Sequence, residues 1–435
     1  MSVTARAHPE RLEITAYRFL TQLARPAAPF ILRLRERQGK EDASRMGERL
    51  GRPSIVRPAG AVAWVHAASV GETSAILPLV ARLEALRPGL TVLLTTGTVT
   101  SARFAAGRLR GPTLHQYIPL DEPSFVNSFL DHWRPCIGIF TEQEVWPNLV
   151  LAASGRGMPL ALVNARMSDR SFERWQRRTG LAEALYSRFT LVLAQNEVLA
   201  RRFERIGAPR ATATGNLKID APAPPVDAGA FDALAKALGG RPRVVAASTH
   251  DGEEAAVAEA HIRLKQSIPG LVTIIAPRHP ERGEAVAQAA AALGLAVQRR
   301  SQGLLPEAGT DIYVADTIGE LGTIYASTSV AFIGGSLIAH GGQNPIEAVR
   351  HGAVVMTGPS HHNFADAYSA LLDADGALRL ETRDELAPTA LHLLSDPARI
   401  ATMQANATRA LQGLAGALER TVAALLPHLP DAAAD

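Results

Sequence analysis

The stretch AVAWVHAASVGETSAILPLVARLEAL, residues 61–86, changes its period halfway along. Ala61–Val65 is a near-continuous apolar run, and from Ser74 to Leu86 the apolar residues recur at helical spacing. A buried strand that feeds a helix through a short loop is the building unit of an α/β fold. The loop holds His66, Ser69, Gly71 and Glu72, a combination that a plain connection does not need. Glu72 has two readings. It is either a first-turn carboxylate that complements the helix dipole or the base of an active site.

The same alternation continues outward. Further strands are expected at Thr91–Thr95, Cys136–Phe140, Pro159–Val163 and Leu191–Ala194, each apolar enough to be covered on both faces as in a parallel sheet. The Pro- and Ala-rich run DAPAPPVDAGA, residues 220–230, then reads as a linker. A second series follows at Arg243–Ala247, Leu271–Ala276, Leu295–Gln298, Ile312–Ala315, Val330–Ile333 and Ala353–Met356, with helices at Gly252–Gln266 and Pro280–Leu293. Two doubly wound halves are expected, with ligands at the carboxyl ends of their strands and the active site in the cleft between them. The loops ASTHDGEE, PRHPERG, DTIGELGTIY and IGGSLIAHGGQNPIEAV leave such strand ends, where glycine and helix N-termini admit phosphate.

The 435 residues suit two domains, and 47% hydrophobic with 20% charged residues describes a globular chain. The single cysteine, Cys136, excludes an internal disulfide and suits a reducing cytoplasm as a small core residue. The net charge of +3 hides two arginine-rich regions, residues 1–52 and Arg166, Arg170, Arg174, Arg177 and Arg178. Such patches meet phosphates, but the motifs of common RNA modules are missing, so nucleic acid is not expected as a partner. Neither a signal peptide nor a membrane span is expected. In ITAYRFLTQLARPAAPFILRLRERQGKE, residues 14–41, arginines interrupt Ile14, Tyr17, Leu20, Leu23, Phe30, Ile31 and Leu34. Two amphipathic helices broken at Pro26 and Pro29 account for it, packed on their own domain or lying against a membrane surface.

Elimination narrows the chemistry. Neither the P-loop pattern nor the dinucleotide-binding glycine fingerprint is present, which disfavours a P-loop ATPase and a nicotinamide-dependent oxidoreductase. Asp373–Asp375 reads as an exposed turn and His361–His362 as loop histidines, so no metal site is expected. Acids in first-half loops and phosphate-friendly loops in the second suit transfer from a nucleotide-activated donor without a metal. One acid would take the proton of an attacking hydroxyl, while Arg278 and a helix start near Asn344 would meet the departing phosphate.

The motifs HAASVGE, TEQEVWPNL, NARMSDRS, TGNLKID, ASTHDGEE, PRHPER, GELGTIYA and GGQNPIEA, in this order, resemble those of the Kdo transferases. These enzymes attach 3-deoxy-D-manno-oct-2-ulosonic acid (Kdo) to a lipid A precursor in lipopolysaccharide synthesis. The likeness runs from RERQGKEDASRMGERLG, residues 35–51, to GPSHHNFADA, residues 358–367. It departs at Gln343, where the family pattern has histidine.

The resemblance implies an α/β fold of GT-B type, two Rossmann-like doubly wound domains facing a central cleft. It implies CMP-Kdo as donor, lipid IVA as acceptor, inversion at the anomeric carbon, no cofactor or metal, and a peripheral place on the cytoplasmic side of the inner membrane. On it, Glu72 is the general base, Glu142 or Glu144 a transition-state acid, and Lys218 a second stabiliser. Donor-binding positions would be Pro277 and Arg278, then Gly319, Glu320 and Leu321, then Asn344, Pro345, Ile346 and Glu347. The expected division is a membrane-contacting segment at 1–52, an acceptor domain at 53–220, a linker at 221–240 and a CMP-Kdo domain at 241–435. Trp146 has two readings, packing and a stacking platform, of which packing is expected. The rivals are another GT-B glycosyltransferase or an epimerase, or a non-catalytic membrane-associated nucleotide-binding protein.

Overall fold

A computed structural model describes residues 12–109 and 111–431. Residues 1–11 of the expected membrane-contacting segment and residues 432–435 of the expected CMP-Kdo domain lie outside the described residues.

The chain forms two units. The first is built on seven parallel strands: β1 (Val62–Ala67), β2 (Thr91–Thr96), β3 (Leu114–Tyr117), β4 (Ile137–Thr141), β5 (Leu160–Ala165), β6 (Leu191–Ala194) and β7 (Ala211–Ala213). Their order is β3-β2-β1-β4-β5-β6-β7, so the winding reverses between β1 and β4. Loops leaving those two strands part at their carboxyl ends and open a crevice there. Both sheet faces are buried. Trp64 of β1 packs its ring 5.0 Å from Phe129 and 4.9 Å from Phe140 on one face. On the other face the helix Val70–Leu86 sets Ile76, Leu79, Val80 and Leu83 into the core.

The second unit has β8 (Arg243–Thr249), β9 (Val272–Pro277), β10 (Val297–Arg299), β11 (Ile312–Val314), β12 (Val330–Ile333), β13 (Val354–Thr357) and β14 (Ala377–Arg379). All are parallel, in the order β10-β11-β9-β8-β12-β13-β14, with the reversal between β8 and β12. Gly334, just past β12, is held so close that an added Cβ would lie 2.5 Å from the Ser248 carbonyl.

The structure divides the chain differently from the sequence expectation in three places. The expected linker, residues 221–240, contains the helix Ala228–Leu238, which belongs to the second unit. Asp227 caps that helix by accepting from Ala230 N, and Leu234 and Leu238 are buried, so a folded element stands where proline content suggested none. Residues from Ala415 onward belong to the first unit, not to a domain running to residue 435. Asp220 accepts from Gly416 N at 2.9 Å and Leu418 N at 2.6 Å, and Ala417, Val422 and Leu425 join the core beneath Val70–Leu86. The return crossing carries only GLAG, residues 413–416, too short a signal to mark a boundary. Residues 12–52 are likewise built into the first unit. Arg49 is buried and donates to Glu41, to the Ile118 carbonyl at 3.0 Å and to the Gly97 carbonyl.

Candidate active site

β1 ends at Ala67, and the turn through Ser69 starts the helix Val70–Leu86. Ser69 is its N-cap: Ser69 Oγ accepts from Glu72 N at 3.2 Å and donates to Glu72 Oε1 at 2.8 Å. The serine caps the third amide of the helix as in a capping box, but the glutamate returns to the serine hydroxyl and not to the Ser69 amide. Glu72 Oε2 accepts from Ala68 N at 3.1 Å and from Thr141 Oγ at 2.6 Å. Thr141 closes β4, so the contact joins the two strands that flank the reversal. Its hydroxyl also lies 3.1 Å from the His66 carbonyl, and one proton serves one acceptor at a time. Glu72 is 9% exposed. Two lone pairs of Oε2 are engaged but only one of Oε1, which leaves Oε1 room for a proton.

Glu142 follows directly, with a left-handed φ of 52°. Its Oε1 lies 2.5 Å from Lys218 Nζ and its Oε2 3.9 Å from an Arg166 nitrogen. Asn164, at the end of β5 and also left-handed (φ 50°), anchors the lysine segment by accepting from Leu217 N at 3.0 Å. Residues outside the favoured backbone region persist where their surroundings hold them, and here two such residues set one ion pair.

Glu144 turns elsewhere. Its Oε2 lies 3.7 Å from His66 Nε2 and accepts from Trp146 Nε1 at 2.9 Å. His66 is 1% exposed, and its Nδ1 sits 3.1 Å from the Thr95 carbonyl and 3.0 Å from Thr95 Oγ. Burial raises the Glu144 pKa, but its hydrogen bond and charge interaction with His66, then the Trp146 N–H, outweigh this and hold it below the ordinary value. Trp146 is 42% exposed, contrary to the expected packing role.

In the second unit every position expected to bind the donor lies at or past the carboxyl end of a strand. Pro277 ends β9, and Arg278 is exposed, with its N–H on the Thr249 carbonyl at 2.9 Å. Gly319, Glu320 and Leu321 follow β11, but the Glu320 carboxylate is gripped by Arg300 at 2.7–3.1 Å. That hydrogen bond is the main cause of its depressed pKa. Asn344 accepts from Ile346 N at 3.0 Å and donates to Glu347 at 3.1 Å, while Pro345 and Ile346 are buried. Gln343 Nε2 is 3.1 Å from His250 Nε2. His250 stacks near His340, ring centroids 4.2 Å apart, and its pKa is pushed down to about 4, first by burial and then by His340, His279, Arg278 and Arg282.

Sequence reasoning missed Glu253. It is 1% exposed, and its carboxylate accepts from four backbone amides: His250 and Gly335 at 3.0 and 2.7 Å on Oε2, Ser336 and Leu337 at 3.0 Å on Oε1. The acid therefore holds the glycine loop after β12. Arg166, Thr141 and Asn164 were also unassigned. Their positions at strand ends within the quoted motifs were the available signal.

The helices Leu12–Leu23 and Ala28–Arg37 bury Ile14, Ala28 and Leu32. Tyr17 donates to Asp121 at 2.9 Å, and Thr21 Oγ accepts from Asn148 Nδ2 at 3.0 Å. Their outer side exposes Phe19, Leu20, Leu23, Phe30, Ile31 and Leu34. The expected packing of this segment on its own domain is thus present on one side of these helices, and the exposed apolar residues lie on the other. Among the described residues no helix is long and apolar enough to cross a membrane, and no group of three or more His, Cys, Asp or Glu could hold a metal ion.

Residues 44–221 match the family model of the 3-deoxy-D-manno-octulosonic-acid transferases (kdotransferases). A 3-deoxy-D-manno-octulosonic acid transferase of Bordetella pertussis is 40% identical over 390 residues, covering 87% of this chain and 90% of its own. That of Haemophilus influenzae is 32% identical over 370 residues, covering 84% and 87%. Among solved structures, a UDP-GlcNAc 2-epimerase from Neisseria meningitidis superposes with a TM-score of 0.57 at 12% identity, over 84% of this chain and all of that one. At that identity the likeness speaks for the fold alone, which is GT-B. Relatives matched over 87% and 90% of their length, together with the motif order at both strand reversals, place the chain in the Kdo transferase family of glycosyltransferases.

Proposed function

We propose that the chain moves Kdo from CMP-Kdo to the lipid A precursor lipid IVA with inversion at the anomeric carbon, and that Glu72 is the base. The observation that carries the reading is the meeting of Glu72 with Thr141 at the strand reversal, next to the Glu142–Lys218 pair. As the acceptor hydroxyl attacks, its proton passes to Glu72 Oε1 while a new carbon–oxygen bond forms at the anomeric carbon. The bond from that carbon to the phosphate oxygen breaks, and CMP leaves with the electron pair. Thr141 can turn its proton to the His66 carbonyl, so Glu72 is not tied to its resting contacts.

Lys218 and Glu142 supply complementary charges to one sugar. The ammonium suits the carboxylate that makes Kdo an acid, and the glutamate offsets positive charge developing on the ring. Donor recognition belongs to Pro277 and Arg278, to Gly319–Leu321 and to Asn344–Glu347. Arg278 presents a guanidinium to the phosphate, which metal-independent chemistry requires of the protein. With Glu320 held by Arg300, its loop would serve the donor through backbone groups. The exposed apolar residues of the first two helices, flanked by Arg18, Arg25, Arg33 and Arg37, suit peripheral contact with anionic lipid on the cytoplasmic side of the inner membrane.

Incubation with CMP-Kdo and lipid IVA in EDTA, followed by CMP release and the mass of the lipid product, tests this reading. Release with one added Kdo mass or more is expected. Absence of product overturns the function, and recovery only on adding a divalent ion overturns the metal-independent part.

A further inference from the structure

We infer that Trp146 is a stacking platform for the sugar headgroup of the lipid acceptor, and that Glu144 is a positioning residue that holds it. The inference rests on the proposed acceptor. Among the described residues beyond the first two helices, Trp146 is the one exposed large aromatic. Its only polar atom is already engaged, since Nε1 donates to Glu144 at 2.9 Å. The ring therefore has just its apolar face to offer, and that face is fixed in orientation. The C–H face of a pyranose ring is the matching surface, as amphipathic aromatics commonly meet partners with one apolar and one wet side.

The support beneath the indole is continuous. Thr95 orients His66, His66 faces Glu144, and Glu144 holds Trp146. This chain starts inside the sheet and ends in solvent, beside the residues that meet Glu72 and Lys218. Glu144 is thereby committed to the indole, whereas Glu142 is left to the charge pair with Lys218.

A second chain leads from the indole toward the lipid-facing helices. Trp146 is the N-cap of the helix Pro147–Gly155, and Asn148 in its first turn donates to Thr21. Thr21 shares its helix with the exposed Phe19, Leu20 and Leu23. A headgroup whose acyl chains stay in the bilayer at those residues emerges near Trp146.

The test measures acceptor and donor kinetics of Trp146→Ala, Trp146→Phe, Glu144→Gln and Glu144→Ala with lipid IVA. Trp146→Ala should raise the acceptor KM about tenfold, the scale of one lost ring contact, with kcat and CMP affinity unchanged. Trp146→Phe should restore most of the loss. In acceptor KM, Glu144→Gln, which keeps an acceptor for the indole N–H, should match the wild type, and Glu144→Ala should follow Trp146→Ala. With the partly buried Trp175 replaced by Phe in both proteins, the deacylated lipid IVA headgroup should shift the tryptophan fluorescence, and the shift should vanish when Trp146→Phe is added, because Trp64 and Trp133 are fully buried. A wild-type acceptor KM in Trp146→Ala, or a loss confined to kcat, overturns the inference while wild-type turnover leaves the proposed function standing. Failure of the wild-type enzyme to glycosylate lipid IVA overturns that function instead.

Discussion

Glu72 and Glu253 occupy the same address in their two units. Each stands in the first turn of the helix that follows the strand beside the reversal, β1 in one case and β8 in the other. Their surroundings differ in kind. Glu253 accepts from four backbone amides, so both oxygens are saturated by groups that cannot turn away. Glu72 accepts from one amide and two hydroxyls, and the hydroxyls can rotate. The same residue at the same place is locked when its lone pairs are filled by main chain and keeps room for a proton when one is left open. Position in a fold therefore does not fix a carboxylate's role, but its donor set does.

The largest effect should separate the two acids by chemistry. Glu72→Gln should lower transfer about 10²–10⁴-fold, the usual worth of a general base, with CMP affinity by calorimetry unchanged. Turnover near wild type would remove the contrast. Stability should show the reverse preference. Glu253→Ala leaves four amides without their buried acceptor and should cost about 3 kcal/mol or more by urea unfolding. Glu72→Ala should cost only about 1 kcal/mol, as for a lost helix cap. Equal shifts in the two midpoints would break the comparison.

Two further outcomes sharpen the proposed division of labour between the units. Arg278→Ala should weaken CMP binding by about 1.5–3 kcal/mol, as for a lost charged hydrogen bond, with vesicle binding intact. Phe30→Glu with Arg33→Glu should do the opposite. Each basic group at an anionic surface contributes about 1 kcal/mol, so sedimentation with anionic vesicles should fall about tenfold or more while CMP binding stays unchanged. Vesicle binding that survives the double change would return those helices to a purely structural role.

What the sequence made legible follows from its local patterns. The central strands are apolar on both faces, so VAWVHA and VTIIAP announce themselves. The strands that went unread, LHQY, ATA and ALR, are β3, β7 and β14, and each lies at a sheet edge where one side needs no partner. β10, the remaining edge strand, was read two residues early. Glu72, Glu142, Glu144 and Lys218 could be named from motifs, but their pairings could not. Lys218 meets Glu142 from the far side of the unit's sequence, and His66 meets Glu144 across the strand reversal. Likewise, nothing local in HDGEE shows that Glu253 binds a loop that follows it by some eighty residues.

The return of residues from Ala415 onward to the first unit has a consequence for how the protein is made. The ribosome delivers β1–β7 early, then the whole of residues 222–414, and only afterwards Ala417, Val422 and Leu425. Until those three arrive, the apolar cluster that holds Ile76, Leu79 and Leu83 on the helix carrying Glu72 is incomplete. The nascent chain therefore completes the second unit before it can finish the first. The helix that bears the proposed base is sealed last, and a nascent chain stalled before Leu425 would leave that helix's apolar side open to chaperones.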